Sequence, residues 1–300
     1  MRRFPDFLIV GAQKCGTSSL YYWLQASPDC YLPAIKEPHY FARFEPWKGL
    51  LKTGSVIRSR FEYQGLFAPA GPTQICGEAS PSYLFEAGVA QRIRQTIPHC
   101  RIIVLVRDPV DRAYSEYLMN LVAGLEERTF LEAVTDAVFG RQRKSWADFP
   151  LYCEASKYGS QVERYLRVFP RSQVLVLTSH ELGNQPKQMM RRVSEFLDVP
   201  GEFWNSFEFQ RHNEGRAPRN ALVASTLNSS FARRVGRGAV PQAWRQFVAR
   251  IVLSGKPKKK RISMKSRELV WSVCEYDIRL LESLIGEHFP ELWTTYPDST

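Results

Sequence analysis

The sequence predicts an α/β fold in which a parallel β-sheet is flanked by helices on both faces. Three segments are apolar at nearly every position, namely FLIVG at 7–11, RIIVLV at 101–106 and QVLVL at 173–177. Strands that are apolar on both sides are typical of parallel sheets, because helices cover both faces of such sheets. Residues 74–78 form a shorter candidate strand.

Helical patterns separate the apolar runs, as expected for an α/β fold. One begins at Thr17 and continues to Gln25, and a second follows the turn residues Asp108 and Pro109 to about Leu121. Two further helices are predicted from apolar residues at helical spacing, which are Val162, Tyr165, Leu166 and Phe169 in the first and Leu269, Val273, Tyr276, Leu280 and Leu284 in the segment 266–286. No repeat or linker is evident, so we expect a single domain over residues 1–300, with a basic, loop-rich segment at about 200–265 within it.

The net charge of +11 on 300 residues indicates an anionic partner, such as a nucleotide, an acidic polysaccharide, a nucleic acid or a membrane surface. The excess is concentrated in the last third of the chain, at 211–220, 231–238 and 255–267. No helix-turn-helix, zinc-finger or RNP pattern accompanies these basic runs, which disfavours nucleic acid.

The start of the chain and the cysteines narrow the class of protein further. The apolar run Phe7–Val10 is too short for a signal peptide or a membrane span, so we expect a cytoplasmic protein without an integral membrane segment. The six cysteines are scattered, with no C-x-x-C pair and no metal-ligand spacing. We therefore expect reduced, mostly buried thiols and no metal site.

The segment GAQKCGTSSL at 11–20 resembles a phosphate-binding P-loop with its lysine displaced. Gly11 and Gly16 keep the P-loop spacing, but Thr17 occupies the usual lysine position and Lys14 lies inside the loop. A glycine-rich turn that leads from a strand into a helix presents N–H groups and the positive helix end to an anion. The apolar run 101–106 is followed by Arg107 and not by a Walker-B aspartate, so a metal-bridged triphosphate is disfavoured.

Two motifs together resemble the paired signature of sulfotransferases that use 3′-phosphoadenosine 5′-phosphosulfate (PAPS). They are GAQKCGTSSL at 11–20 and VRDPVDRAYSEY at 106–117, each after a predicted strand. The resemblance extends to KEPHYFA at 36–42, GEASPSYL at 77–84 and YGSQVERYLRVFP at 158–170, and is closest to bacterial and heparan-sulfate-type carbohydrate enzymes. It implies a P-loop-like sheet, PAPS as the sulfuryl donor without a metal, and a hydroxyl or amine acceptor on a carbohydrate or glycolipid.

PAPS carries a 5′-phosphosulfate and a separate 3′-phosphate, so two anion sites are needed at neighbouring strand ends. Lys14 is expected to neutralise the leaving phosphate oxygen during transfer; the alternative is a phosphate contact in the ground state only. Arg107 offers a planar, bidentate donor to the second phosphate, and its alternative is a salt bridge with Asp108 or Asp111. The expected cofactor residues are Lys14, Cys15, Gly16, Thr17, Ser18 and Ser19 for the first anion, and Arg107 and Ser115 for the second.

The resemblance implies that Glu37 is the general base, because heparan-sulfate-type enzymes carry a glutamate in an E-x-[HQ]-[FY]-F segment that EPHYF at 37–41 matches. The alternatives for Glu37 are a helix N-cap or first-turn position and a plain surface charge. His39 is the second candidate base, or else a structural histidine. Heparan-sulfate-type enzymes carry an E-K-[ST] motif where this sequence has Glu78, Ala79 and Ser80. Glu78 is a further acid/base candidate; the alternative is a carboxylate buried against an arginine or lysine.

A basic segment near the C-terminus is expected to cover the 3′-phosphate, as it does in sulfotransferases. HNEGRAPR at 212–219 and GKPKKKR at 255–261 both qualify, although a charge run is often only a solvated loop. Arg216 and Arg219 are favoured over the lysine run because arginine gives planar phosphate recognition.

Two other classes of function remain open from the sequence. A nucleotide or small-molecule kinase with a variant P-loop would require ATP and Mg²⁺. A non-catalytic module that binds a polyanion, or PAP, which is PAPS without its sulfuryl group, would use the basic segments and would not need Glu37.

Overall fold

The computed structural model describes residues 3–43, 56–122, 125–140, 150–210 and 262–292. Within them, five parallel strands form one sheet in the order β2-β3-β1-β4-β5. The strands are β1 Phe7–Gly11, β2 Cys30–Tyr31, β3 Ile75–Ala79, β4 Arg101–Val106 and β5 Val174–Thr178. The four predicted strands are therefore confirmed to within one residue, whereas β2 has only two residues and is too short to give a sequence pattern.

Helices flank the sheet, as predicted. All five residues of β1 are buried, and successive side chains of a strand point to opposite faces, so both faces of the sheet are covered. The helices, in chain order, are α1 Thr17–Ala26, α2 Arg60–Gly65, α3 Ser82–Phe85, α4 Val89–Thr96, α5 Pro109–Val122, α6 Phe130–Phe139, α7 Tyr158–Leu166, α8 Ser179–Asn184, α9 Pro186–Leu197 and α10 Met264–Ile285. None of the described helices is long and apolar enough to cross a membrane.

The face that α10 buries differs from the predicted stripe. Tyr276, a member of that stripe, is 74% exposed. A stripe rotated by about one residue is buried instead: Val270, Cys274, Asp277, Ile278, Leu281 and Ile285. The rotation has a cause in α7, where a Cβ on Gly159 would lie 2.2 Å from the Asp277 carbonyl oxygen, so the two helices meet at Gly159 at close range.

The packing of β1 against its neighbours depends on small residues. A Cβ at Gly77 of β3 would lie 2.1 Å from the ring of Phe7, and one at Gly11 would lie 2.5 Å from the Leu84 side chain of α3. Because β1 pairs in parallel with both β3 and β4, the carboxyl ends of the three strands lie at one edge of the sheet. The six cysteines are buried free thiols, as predicted.

Candidate active site

The turn after β1 is shaped by two residues in left-handed conformations. Lys14 has φ +70° and Gly16 has φ +101°, and Gly16 is the N-cap of α1. A Cβ at Gly16 would lie 3.2 Å from Leu182 and would also be strained at this φ, so glycine is required there. The turn thus presents the N-terminus of a ten-residue helix at the carboxyl end of the central strand.

The residues that follow the turn differ in what they offer to a ligand. The Thr17 and Ser19 side chains are buried and that of Ser18 is half-buried. Cys15 is buried, with its Sγ 3.7 Å from the hydroxyl oxygen of Tyr158, and burial raises the pKa of its thiol to about 11. Cys15 therefore belongs to the core through its side chain, and only its backbone is available at the turn.

Lys14 extends from the turn towards α5. Its Nζ lies 3.7 Å from the Sδ of Met119. Burial lowers the pKa of Lys14, Glu116 and Glu37 act to raise it, and Arg107 is among the cations that lower it further. The Lys14 ammonium therefore lies in a partly buried site, where nearby carboxylates and guanidinium groups shift its pKa in opposite directions.

Arg107 lies beside the same turn. Its Nη1 is 3.5 Å from the Lys14 carbonyl oxygen, and its Nη2 is 2.9 Å from Asp111 Oδ2. The salt bridge to Asp111 that the sequence left open is thus formed. Ser115 is half-buried on α5, one turn before Met119, and residues four apart share a helix face. Lys14 and Arg107 accordingly lie at the ends of β1 and β4, and Ser115 lies on the face of α5 that Lys14 approaches at Met119.

The second arginine of the motif at 106–117 has a role that the sequence analysis missed. Arg112 is fully buried, forms a 2.8 Å salt bridge with Glu116 and donates to the carbonyl oxygens of Leu151 and Tyr152 at 3.1 and 2.6 Å. Glu116 in turn accepts the Leu151 N–H at 2.7 Å. This network fixes α5 against the chain at 151–152. The i,i+4 spacing of Arg112 and Glu116 was the available signal.

The segment from Lys36 to Phe41 lies against the end of β3. Glu37 N–H donates to the Ala79 carbonyl at 3.1 Å, and His39 N–H donates to Ser80 Oγ at 3.2 Å. Glu37 and His39 have φ values of +60° and +51°. Of the four non-glycine residues with positive φ in the described chain, three are Lys14, Glu37 and His39. Such conformations are typical of functional sites, where surrounding contacts maintain the strain.

The Glu37 carboxylate is half-buried, and its Oε1 is 2.7 Å from the Nζ of Lys36. Its Oε2 is 3.7 Å from His39 Nε2. The alternative of an N-cap or first-turn position is wrong, because residues 36–39 are not next to a helix start. His39 is buried, its Nδ1 lies 2.9 Å from Ser82 Oγ, and burial lowers its pKa.

Glu78 is fully buried on β3, below this segment. It accepts hydrogen bonds from the Tyr63 hydroxyl at 3.1 Å and the Ser80 hydroxyl at 2.9 Å. Burial raises the pKa of Glu78 to about 7, against the opposing effect of these hydrogen bonds. The sequence left open that Glu78 is buried against an arginine or lysine. Glu78 is buried, but its partners are hydroxyl groups and not a cation, so that alternative is wrong about the partner.

The remaining predicted site residues, Arg216, Arg219 and the lysine run at 255–261, lie outside the described residues. In the part of the chain that is described, no group of three or more His, Cys, Asp or Glu residues is arranged to hold a metal ion. The prediction that no metal is required stays a prediction.

Comparisons with known proteins bear on the family of this chain. Residues 4–245 match the sulfotransferase domain family. Mouse heparan sulfate glucosamine 3-O-sulfotransferase 6 is 31% identical over 198 residues, which cover 66% of this chain and 53% of that protein. Human carbohydrate sulfotransferase 15 is 27% identical over 66% of this chain and 44% of its own length. The chain thus spans about half the length of these curated relatives.

A solved structure extends the comparison to nearly the whole chain. The crystal structure of a sulfotransferase from Alicyclobacillus acidocaldarius is 28% identical, with a TM-score of 0.71, and the match covers 97% of this chain and 99% of that one. Because the family match spans most of the sequence and this fold agrees with it, the chain belongs to the sulfotransferase family.

Proposed function

We propose that the protein transfers a sulfuryl group from PAPS to a hydroxyl group of a carbohydrate or glycolipid acceptor. One observation carries this proposal, which is the meeting of a cationic turn and a carboxylate at one edge of the sheet. Lys14 and Arg107 lie at the ends of β1 and β4, and Glu37 lies at the end of the adjacent strand β3, where its N–H donates to the Ala79 carbonyl at 3.1 Å. The named acceptors of the two curated relatives, heparan sulfate glucosamine and carbohydrate, support the acceptor class.

The donor is proposed to occupy the ends of β1 and β4. The 5′-phosphosulfate binds at the turn and the first N–H groups of α1, where the helix dipole favours an anion. The 3′-phosphate binds to Arg107 and Ser115, with Arg107 supplying two parallel hydrogen bonds. Arg219 is proposed as a further ligand of this phosphate.

The chemical step is a displacement at sulfur. The acceptor oxygen forms a bond to the sulfur atom while the bond from sulfur to the bridging phosphate oxygen breaks, which releases PAP. Glu37 accepts the proton of the acceptor hydroxyl, a contribution of about 10²–10⁴-fold for a positioned base. Lys14 neutralises the negative charge that develops on the leaving oxygen.

Accessibility favours Glu37 over the other two candidate bases. The Glu37 side chain is 29% exposed, so an acceptor can reach its carboxylate. Glu78 has no exposed surface, so an acceptor cannot reach its carboxylate. His39 is 7% exposed, and its Nδ1 is engaged by Ser82.

Calorimetric titration with PAP and with ATP, each with and without Mg²⁺, tests the donor. We expect PAP to bind without metal and ATP to bind weakly. Tighter binding of ATP with Mg²⁺ would favour a kinase and overturn the proposal. Transfer of labelled sulfate from PAPS to a panel of polysaccharides and glycolipids then tests turnover, and PAP binding without any transfer would favour a binding module.

A further inference from the structure

The strained segment that carries Glu37 is fixed by residues at the end of β3 and the start of α3. Besides the bonds from Glu37 N–H and His39 N–H, the His39 ring meets Ser82 Oγ at 2.9 Å and Phe41 N–H donates to the Tyr83 hydroxyl at 3.2 Å. These bonds span 41 to 43 positions of sequence. The left-handed backbone at Glu37 and His39 is unfavourable by itself, so contacts of this kind must maintain it.

Ser80 is the central member of this set. Its hydroxyl donates to Glu78 Oε2 at 2.9 Å, which leaves the lone pairs of Oγ to accept the N–H of His39 at 3.2 Å. Glu78 is held in turn by the Tyr63 hydroxyl of α2 at 3.1 Å. Tyr63, Glu78 and Ser80 all have no exposed surface, so water does not compete for these bonds.

The burial of Glu78 is unfavourable for stability. Among the described residues it has no salt bridge to a lysine or arginine, and a buried carboxylate without a cation is costly even when it is hydrogen-bonded. A role in the geometry of the neighbouring segment would explain the burial of Glu78.

We propose that Glu78 and Ser80 are positioning residues for the base, an inference that rests on the proposed function. Glu78 orients the hydroxyl of Ser80, Ser80 fixes the backbone of His39, and the position of His39 sets the place of the Glu37 carboxylate two residues earlier. In this arrangement neither Glu78 nor Ser80 contacts the acceptor.

A double-mutant cycle tests this chain of contacts. Ser80→Ala removes the hydrogen bonds to Glu78 and His39, and we expect turnover to fall by about 10–10²-fold, because small misplacements of a catalytic group have effects of this size. In the Glu37→Gln background the same change should lower turnover by less than about 2-fold, since no base remains to be misplaced. PAP affinity should stay the same in all four proteins.

A matched control is Ser194→Ala on α9. Ser194 is also buried and accepts the Trp204 Nε1–H at 2.7 Å, but it lies on α9, which packs against the edge strand β5. We expect its replacement to leave turnover unchanged. An equal loss for Ser80→Ala in both backgrounds would overturn the proposal, because a general effect on folding does not depend on Glu37.

A second variant covers the case in which Ser80→Ala fails to fold. Glu78→Gln keeps an oxygen that can accept from Ser80, and we expect turnover within about 10-fold of the unaltered protein. A larger loss that persists in the Glu37→Gln background would show that Glu78 acts by itself and would overturn the inference. Failure of the unaltered protein to bind PAP or transfer sulfate would instead overturn the proposed function, so the two failures are distinguishable.

Discussion

The turn at 12–16 and the segment at 36–39 hold similar strain by different means. Both contain non-glycine residues with positive φ, Lys14 in the first and Glu37 and His39 in the second. The turn is fixed partly from within, by Gly16 and the start of α1, and partly by the neighbouring β4, whose Leu105 carbonyl accepts the Ala12 N–H at 2.7 Å. The second segment is fixed from a distance, by Ser80 and its neighbours in the sequence.

This difference separates two ways of building a functional site. The turn at 12–16 depends on the strand and helix on either side of it and on β4, which pairs with that strand. The segment at 36–39 keeps its shape only when β3 and α3 are in place, because its hydrogen bonds come from there. Replacement of buried residues far along the chain can therefore disturb the proposed base without touching it.

The largest expected effect is that of Glu37→Gln. Turnover should fall by about 10²–10⁴-fold while PAP affinity stays near that of the unaltered protein, since the amide cannot accept the proton. Steady-state rates with PAPS and PAP calorimetry measure the two quantities. Glu62→Gln, which changes an exposed residue of α2, is the control. Full activity of Glu37→Gln would transfer the role of base to His39 or Glu78.

Lys14→Ala changes the turn at 12–16. We expect turnover to fall by about 10²-fold, the usual effect of removing one donor to a developing charge, together with weaker PAP binding. Arg107→Ala should weaken PAP binding alone. Titration of both variants with PAP measures the affinity. Lys187→Ala, which changes an exposed residue of α9, is the control. Unchanged PAP affinity in both would contradict the two-anion site.

Glu78→Gln should change how stability depends on pH. Because burial raises the pKa of Glu78 from 4.5 to about 7, the folded protein holds a proton that the unfolded chain releases between these values. Its contribution to the free energy of unfolding therefore falls by roughly 3 kcal/mol as pH rises from about 4.5 to about 7. Glutamine does not titrate, so this fall should be absent from the variant.

Urea unfolding of both proteins at pH 5 and pH 8 measures this difference. The comparison removes the effect of other groups such as His39, whose pKa burial lowers, because they are present in both proteins. Identical pH dependence in the two proteins would show that Glu78 is not a buried titrating group.

Gly16→Ala should have the smallest effect on the free energy of unfolding, a loss of about 1–2 kcal/mol from the left-handed conformation. The new Cβ would also press on Leu182 at 3.2 Å. Gly65→Ala is the control, because a Cβ there meets nothing within 4 Å. Thermal unfolding compares the two, and equal stability would show that the turn tolerates a side chain.

The sequence predicted the parts of the site that neighbouring residues specify. The turn around Lys14 follows from its glycine spacing and the strand before it, and Arg107 follows β4 as expected. The Tyr63 hydroxyl that bonds Glu78 comes from α2, and the carbonyl partners of Arg112 come from the chain at 151–152, so no local pattern reveals them. The face of α10 was wrong by one residue because apolar residues occupy both stripes, and the packing against α5, α6 and α7, including the close contact at Gly159, selects between them.

The pairing of Arg107 with Asp111 has a consequence for how tightly a nucleotide is held. The Arg107 guanidinium already has an anionic partner, the Asp111 carboxylate, at 2.9 Å. A phosphate that binds Arg107 therefore replaces an existing ion pair with a new one. The free energy gained is the difference between the two pairs. Under the proposed function, Asp111 competes with the product PAP for Arg107 and thereby favours its departure after each turnover.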